Sequence, residues 1–299
     1  MQSWILYSLL GTAIYVIVIF VDKYNLTQQI KDYRGMAMYS AIVGLISGSV
    51  LWLMTGRPIL GFQDGLLVMI TGMLSIFSAS IYFYVIQKED GSKVLFLLQL
   101  VPVFVLILSL LFLDEVITIK KLLGFALILI PSLLASSDGN KLKLSIDKNT
   151  ILLMASTFLT AVSAVIFKFV VDAGSFSKVV AYESWGWAIG GLILFTVFPS
   201  VRKAFFTTTK SLKKIALAIV FGNEILFLGS KLLLFLAISL GSVYLVNVIT
   251  GTQVLFGALF GVVLTLLVPK IFHEDISKNS IKNKLILGVI TLVGLGLIY

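Results

Sequence analysis

The sequence predicts an all-α membrane protein of ten transmembrane helices, arranged as two inverted five-helix repeats. Three observations carry that prediction. Of 299 residues, 59% are hydrophobic and only 12% charged, which is more apolar surface than one soluble core can bury. The apolar residues gather into ten runs, each long enough to cross about 30 Å of hydrocarbon at about 1.5 Å per residue. Finally, basic residues in equivalent connectors of the two halves are biased in opposite directions, as inversion requires.

The runs lie near 4–21, 35–54, 64–87, 93–113, 120–136, 150–171, 181–198, 214–240, 242–268 and 283–299. The first lacks a basic n-region and a small-residue cleavage site, so it reads as a retained helix and not as a secretory signal. Asp90-Gly91-Ser92 and Asp138-Gly139-Asn140 supply turn chemistry between helices. Pro102 falls inside the fourth run, where it removes a backbone N–H and predicts a kink with a freed carbonyl. Only Leu240-Gly241-Ser242 separates the eighth and ninth runs. A single helix of their joint length would be about 80 Å long, so a tight turn is expected there.

The halves meet between residues 142 and 143, giving repeats 1–142 and 143–299. Thr12-Ala13-Ile14 resembles Thr160-Ala161-Val162, and Gly91-Ser92 resembles Gly241-Ser242, at nearly the same shift. The connector after run two holds Arg57 alone, whereas its counterpart after run seven holds Arg202, Lys203, Lys210, Lys213 and Lys214. Lys23, Lys31 and Arg34 follow run one, against Lys178 after run six. Connectors after odd-numbered runs carry about 17 Lys or Arg and those after even-numbered runs about 4, which places both termini outside the cytoplasm.

Composition also excludes function classes. A net charge of +9 suits anionic headgroups, because the basic residues sit in connectors, and no nucleic-acid partner is expected. With no Cys and one His, His273, in a connector, neither thiolate chemistry nor a resident metal is expected. No phosphate-binding glycine loop or catalytic triad appears, so no catalytic residue and no cofactor is assigned.

The exit of run four, Leu113-Asp114-Glu115-Val116-Ile117-Thr118, follows a proline-bearing helix opened by Gly91-Ser92 and precedes Gly124 in run five. This pattern resembles the drug/metabolite transporter superfamily, in particular its EamA-like ten-helix members. The second copy is degenerate: Gly251 or Thr252 stands where Pro would be, and His273-Glu274-Asp275-Ile276 falls late. The resemblance implies inverted repeats around a central cavity, alternating access, and export or exchange of small metabolites. It also implies cytoplasmic termini, opposite to the charge bias.

Glu224 and Lys231 are the costliest residues in the chain. A charge at the centre of a bilayer costs about 2.5 to 3.5 kcal/mol unless it faces protein or water. Seven residues apart, they share one helix face about 10 Å from each other along the axis. Glu224 reads as a proton or amine site, or else as half of an ion pair with Lys231 or Lys168; Lys231 reads as an anion site. Asn223, Asn247, Thr250 and Gln253 line a cavity or serve as interhelical glue, and Gln99 is their first-half counterpart. Trp185 and Trp187 belong to an interfacial belt or a stacking wall, as does Tyr82 or Tyr84. Glu115 and Glu274 read as interfacial carboxylates, Glu115 beside Lys120 and Lys121, while Lys168 snorkels. Gly190-Gly191 and Gly257-x-x-x-Gly261 read as close-packing positions.

The expected function is secondary transport of a small polar, amino-acid-like metabolite across the cell membrane by export or proton-coupled exchange. The substrate-binding set is Glu224, Lys231, Asn223, Asn247, Gln253, Gln99, Trp187 and Tyr82, with Glu224 as the proton-coupling group. Partners are the lipid bilayer and a small-molecule substrate, with the chain a monomer or homodimer. The alternative is a multidrug or cationic-compound exporter. A channel would need a continuous polar stripe that the runs lack, and an intramembrane enzyme would need reactive residues they lack. A reporter active only outside the cytoplasm, fused to the C-terminus, is expected to give signal; signal from a cytoplasm-specific reporter overturns the charge-derived orientation.

Overall fold

The computed structural model describes residues 2–89, 91–113, 115, 117–136, 147–173, 175–267 and 278–298. Asp90, Asp114, Val116, Asp138-Gly139-Asn140, His273-Glu274-Asp275-Ile276 and the boundary between the expected repeats lie outside these residues. The described residues form helices and no strand, and seven spans are long and apolar enough to cross a membrane.

The first half holds α1 (Ser3–Tyr24), α2 (Met36–Met54), α3 (Phe62–Lys88), α4 (Gly91–Leu98), α5 (Leu100–Phe112) and α6 (Ile119–Ser136). The second holds α7 (Lys148–Ala173), α8 (Phe176–Val197), α9 (Pro199–Ser211), α10 (Lys214–Leu240), α11 (Val243–Thr250), α12 (Gln253–Leu267) and α13 (Lys278–Ile298). The expected turn separates α10 from α11 at Gly241-Ser242. Glu115, expected beside Lys120 and Lys121, lies within electrostatic reach of Lys121 and also reaches this turn, where Val243 N–H donates to its Oε1 at 3.2 Å. That bond satisfies one of the donors left over at the start of α11.

Runs four and nine are each two helices. The first break is at Gln99, three residues before Pro102, whose ring disfavours continuous helix through the preceding turn. The second is at Gly251-Thr252, where glycine's low helix propensity takes the place of proline. The breaks touch: Gln99 Nε2 donates to the Gly251 carbonyl at 3.1 Å. A Cβ on Gly251 would stand 2.9 Å from Gln99 Oε1, so the contact needs a residue without a side chain.

Two helices extend past the apolar runs, and a carboxylate lies near each extended end. Hydropathy ends run one at residue 21, but α1 reaches Tyr24 and continues as a π-helical turn, Asn25–Gln29. Hydropathy starts run seven at 181, but α8 starts at Phe176. Asp22, past the end of run one, and Glu183, two residues into run seven, are both helical and buried. Charges near the end of an apolar run look interfacial when their partners are unknown.

Helices from the two halves interlock, with α2 on α8, α1 on α10, α3 on α7, α3 on α8 and α6 on α13. Small residues permit this close approach. A Cβ on Gly72 would collide with the backbone of Glu183 and Gly186, and one on Gly186 with the backbone of Met69. Gly44 and Gly48 seat against Ser184, Trp185 and Trp187, and Gly124 and Gly294 against each other's helices. Gly190 and Gly191 pack on Ile76, Met73 and Ala41, as expected. Gly257 does not follow suit, because no described atom lies within 4 Å of a Cβ placed there.

Two lysines hold equivalent helix ends. Lys23 at the end of α1 donates to the Ile86 carbonyl at 2.8 Å and that of Glu89 at 3.3 Å, at the C-terminus of α3. Lys168 near the end of α7 donates to the Ile238 carbonyl at 3.1 Å, at the C-terminus of α10, and pairs with Asp172 at 2.8 Å. A cation suits orphan carbonyls and the negative end of a helix dipole.

Replacing Gly72 by Ala is expected to destabilise the fold by about 1 to 3 kcal/mol through overpacking. Gly222→Ala, at a helix position with nothing within 4 Å, is expected to be neutral or to stabilise by up to about 1 kcal/mol. Thermal unfolding of the two purified variants checks this, and equal melting temperatures would contradict the assigned packing.

Candidate functional site

A polar layer divides the helices. On α3 and α7 the hydroxyls meet directly: Ser78 with Ser156 and with Thr160, and Ser75 with Ser163, all at 2.8 Å. Hydroxyls that bond each other across helices leave no unpaired donor in an apolar surround. Beside this layer lies a cavity of about 230 Å³, walled by α1, α2, α3, α4, α5, α7, α8, α10 and α11 with Gly251 and Gln253. It is smaller than the roughly 300 to 1,000 Å³ of a drug-sized site.

Two charged clusters mark the cavity. In the first, Lys231 Nζ lies 2.6 Å from Glu183 Oε2. Trp187 Nε1–H donates to the other carboxylate oxygen at 2.9 Å, and the Lys231 ammonium sits 4.5 Å from the Trp187 ring centroid. Glu183 is fully buried behind Lys231 and Trp187, which face the cavity. Lys231 is thus matched by Glu183 on α8 and Lys168 by Asp172, so neither lysine forms the expected ion pair with Glu224. It is not a free anion site: a substrate carboxylate would have to displace Glu183 and strand a buried charge, which costs several kcal/mol.

In the second cluster Asp22 and Glu224 lie within electrostatic reach of each other. Asn223 Nδ2 donates to Asp22 Oδ1 at 2.8 Å and to the Val18 carbonyl at 3.4 Å. Ser40 on α2 faces the cavity beside Glu224. Asp22, Ser40, Asn223 and Glu224 all face the cavity, and all are buried. Asp22 is absent from the set expected from the sequence, and it makes the cavity acidic from the first half as well as the second. Its signal in the sequence is a carboxylate directly after an apolar run, which resembles an interfacial charge.

Of the remaining expected residues, Asn247, Gln253, Trp187 and Tyr82 face the cavity, with Thr250. Asn247 Nδ2 donates to the Val243 carbonyl of its own helix at 2.9 Å. Gln99 is fully buried at the helix break and does not line the cavity. Trp185 packs outside it against Trp52 and Tyr182, and Tyr84 contacts Tyr33 and Lys88. Tyr15 and Phe227 continue the aromatic wall from Trp187.

Residues 2–137 match the EamA-like transporter family, in keeping with the motifs around Pro102. No curated protein matches the chain. A solved crystal structure superposes with a TM-score of 0.68 over 98% of this chain and 96% of its own, at 14% sequence identity. At that identity the likeness concerns the fold alone.

Lys231→Met is expected to cost about 3 to 5 kcal/mol, because it leaves Glu183 buried and unpaired. Adding Glu183→Gln is expected to restore most of the loss. Thermal unfolding of the wild-type, single and double variants measures the coupling, and additive losses would show that the two groups do not interact.

Proposed function

We propose that this chain, whose residues 2–137 match the EamA-like transporter family, is a secondary transporter that moves a small polar metabolite across the cell membrane. Family members are transporters, and the multiple apolar spans make the chain a multi-pass membrane protein. The observation that carries the reading is the acidic cavity, enclosed by helices of both halves and sized for a small molecule.

Alternating access needs two halves that move against each other around a fixed site. Two features support an inverted repeat, residues 1–142 against 143–299. The fourth run of each half is broken, and the breaks meet at Gln99 and Gly251. The first helix of each half latches the C-terminal end of the third through Lys23 or Lys168. The broken helices border the cavity, where irregular backbone is tolerated in a membrane.

Glu224 serves as the coupling group, its proton exchanged as the cavity opens to each side, in export or proton-coupled exchange. The amino-acid-like substrate that suited a free Lys231 is less well supported, since Lys231 is already neutralised by Glu183. The chain acts as a monomer or homodimer within the bilayer.

Proteoliposomes containing the full chain, assayed with a metabolite panel, are expected to accumulate substrate more than about tenfold faster with an imposed pH gradient than without one. Glu224→Gln is expected to abolish the pH-driven component. Gradient-insensitive uptake, unchanged in Glu224→Gln, would remove the coupling role. Absence of uptake for every compound in a broad panel would count against transport itself.

A further inference from the structure

We infer that the Asp22–Glu224 cluster is a primary-ammonium site and that the substrate is a small organic amine lacking a carboxylate. This rests on the transport reading and sharpens its substrate class. The two carboxyl groups share one end of the cavity and have no basic side chain between them: Lys231, the other cavity charge, is held by Glu183. An ammonium placed there would meet two acidic acceptors at once.

The neutral groups around the cluster point the same way. Asn223 spends both hydrogens of its amide nitrogen on Asp22 Oδ1 and the Val18 carbonyl. Flipping the amide would set oxygen against oxygen, so the orientation is fixed. Its Oδ1 is buried without a partner, and so is the Tyr82 hydroxyl; both residues line the cavity, and Tyr82 lies within electrostatic reach of Asp22. A buried acceptor without a donor is unfavourable. A primary ammonium carries three donors, which suits a site made of two carboxylates and two unpartnered oxygen atoms.

The rest of the cavity selects against the alternatives. Lys231 lies over Trp187, so that aromatic face is taken, and a quaternary ammonium, having no N–H, could donate no hydrogen bond to the two carboxyl groups. A carboxylate on the substrate would meet net negative charge at one cluster and an already neutral pair at the other. Tyr15 and Phe227 offer apolar surface for the body of the amine.

Calorimetric titration of the full chain in detergent micelles tests this with four matched probes: phenethylamine, its N-trimethylated counterpart, phenylalanine and hydrocinnamate. Phenethylamine is expected to bind at least about tenfold tighter than each of the others. Asp22→Asn and Glu224→Gln are each expected to weaken it by about tenfold or more. Tyr82→Phe deletes a hydroxyl that bonds nothing in the protein, so it is expected to leave the melting temperature unchanged while weakening phenethylamine by about threefold to tenfold. Tyr82→Phe keeps the test decisive if either carboxylate variant fails to fold. The inference is overturned by phenylalanine or the trimethylated probe binding as tightly as phenethylamine, by amine affinity unchanged in the folded variants, or by no saturable amine binding in the wild type. Phenethylamine that binds as expected, while neither it nor any compound of the panel is taken up by proteoliposomes, would sink the transport reading and leave the site. Uptake of another metabolite by a chain that does not bind the amine would do the reverse.

Discussion

Glu183 and Lys231 neutralise one another at 2.6 Å, under the ring of Trp187 and among apolar helices. Neither group could remain there alone, since an unpaired charge in a low-dielectric interior costs far more than any neighbouring contact returns. The pair fixes α8 to α10 at one height. α8 in turn is the helix on which α2 and α3 lie at glycine contacts. A shift of α8 along its axis would separate the ion pair and bring side chains to the places where Gly44, Gly48 and Gly72 now admit backbone. Electrostatic and steric constraints thus select the same register.

This pairing also decides the chemistry of the cavity. With Lys231 satisfied, the charge that faces the lumen comes from Asp22 and Glu224, on helices of different halves. Asn223 joins them, its amide spanning α10 and α1. Another part of the wall is made of hydroxyls that bond one another between α3 and α7. The result is a small space with an acidic end, an aromatic wall and a neutral polar side.

Around that space, two features occur once in each half of the chain. Breaks at Gln99 and Gly251 interrupt the fourth run of each half and bond to one another. Lys23 and Lys168 cap the ends of α3 and α10. The residues at the two breaks differ: Pro102 follows the first by three residues, and at the second Gly251 weakens the helix.

The sequence by itself determined the class, the apolar runs, the turn at Gly241-Ser242 and the burial of Glu224 and Lys231. These follow from local composition, because an apolar run must be helical in hydrocarbon whatever it packs against. Asn223, Asn247, Gln253, Trp187 and Tyr82 were also legible, as polar or aromatic residues inside such runs. Only the tertiary structure decided that Lys231 belongs to Glu183, that Asp22 joins Glu224, that Gln99 serves the helix break, and that Gly72 and Gly186, unlike Gly257, are contact points. Hydropathy and spacing report how costly a residue is to bury and which face of its own helix it occupies. Which partner offsets that cost depends on a second helix far away in the chain, and that is settled only when the helices pack.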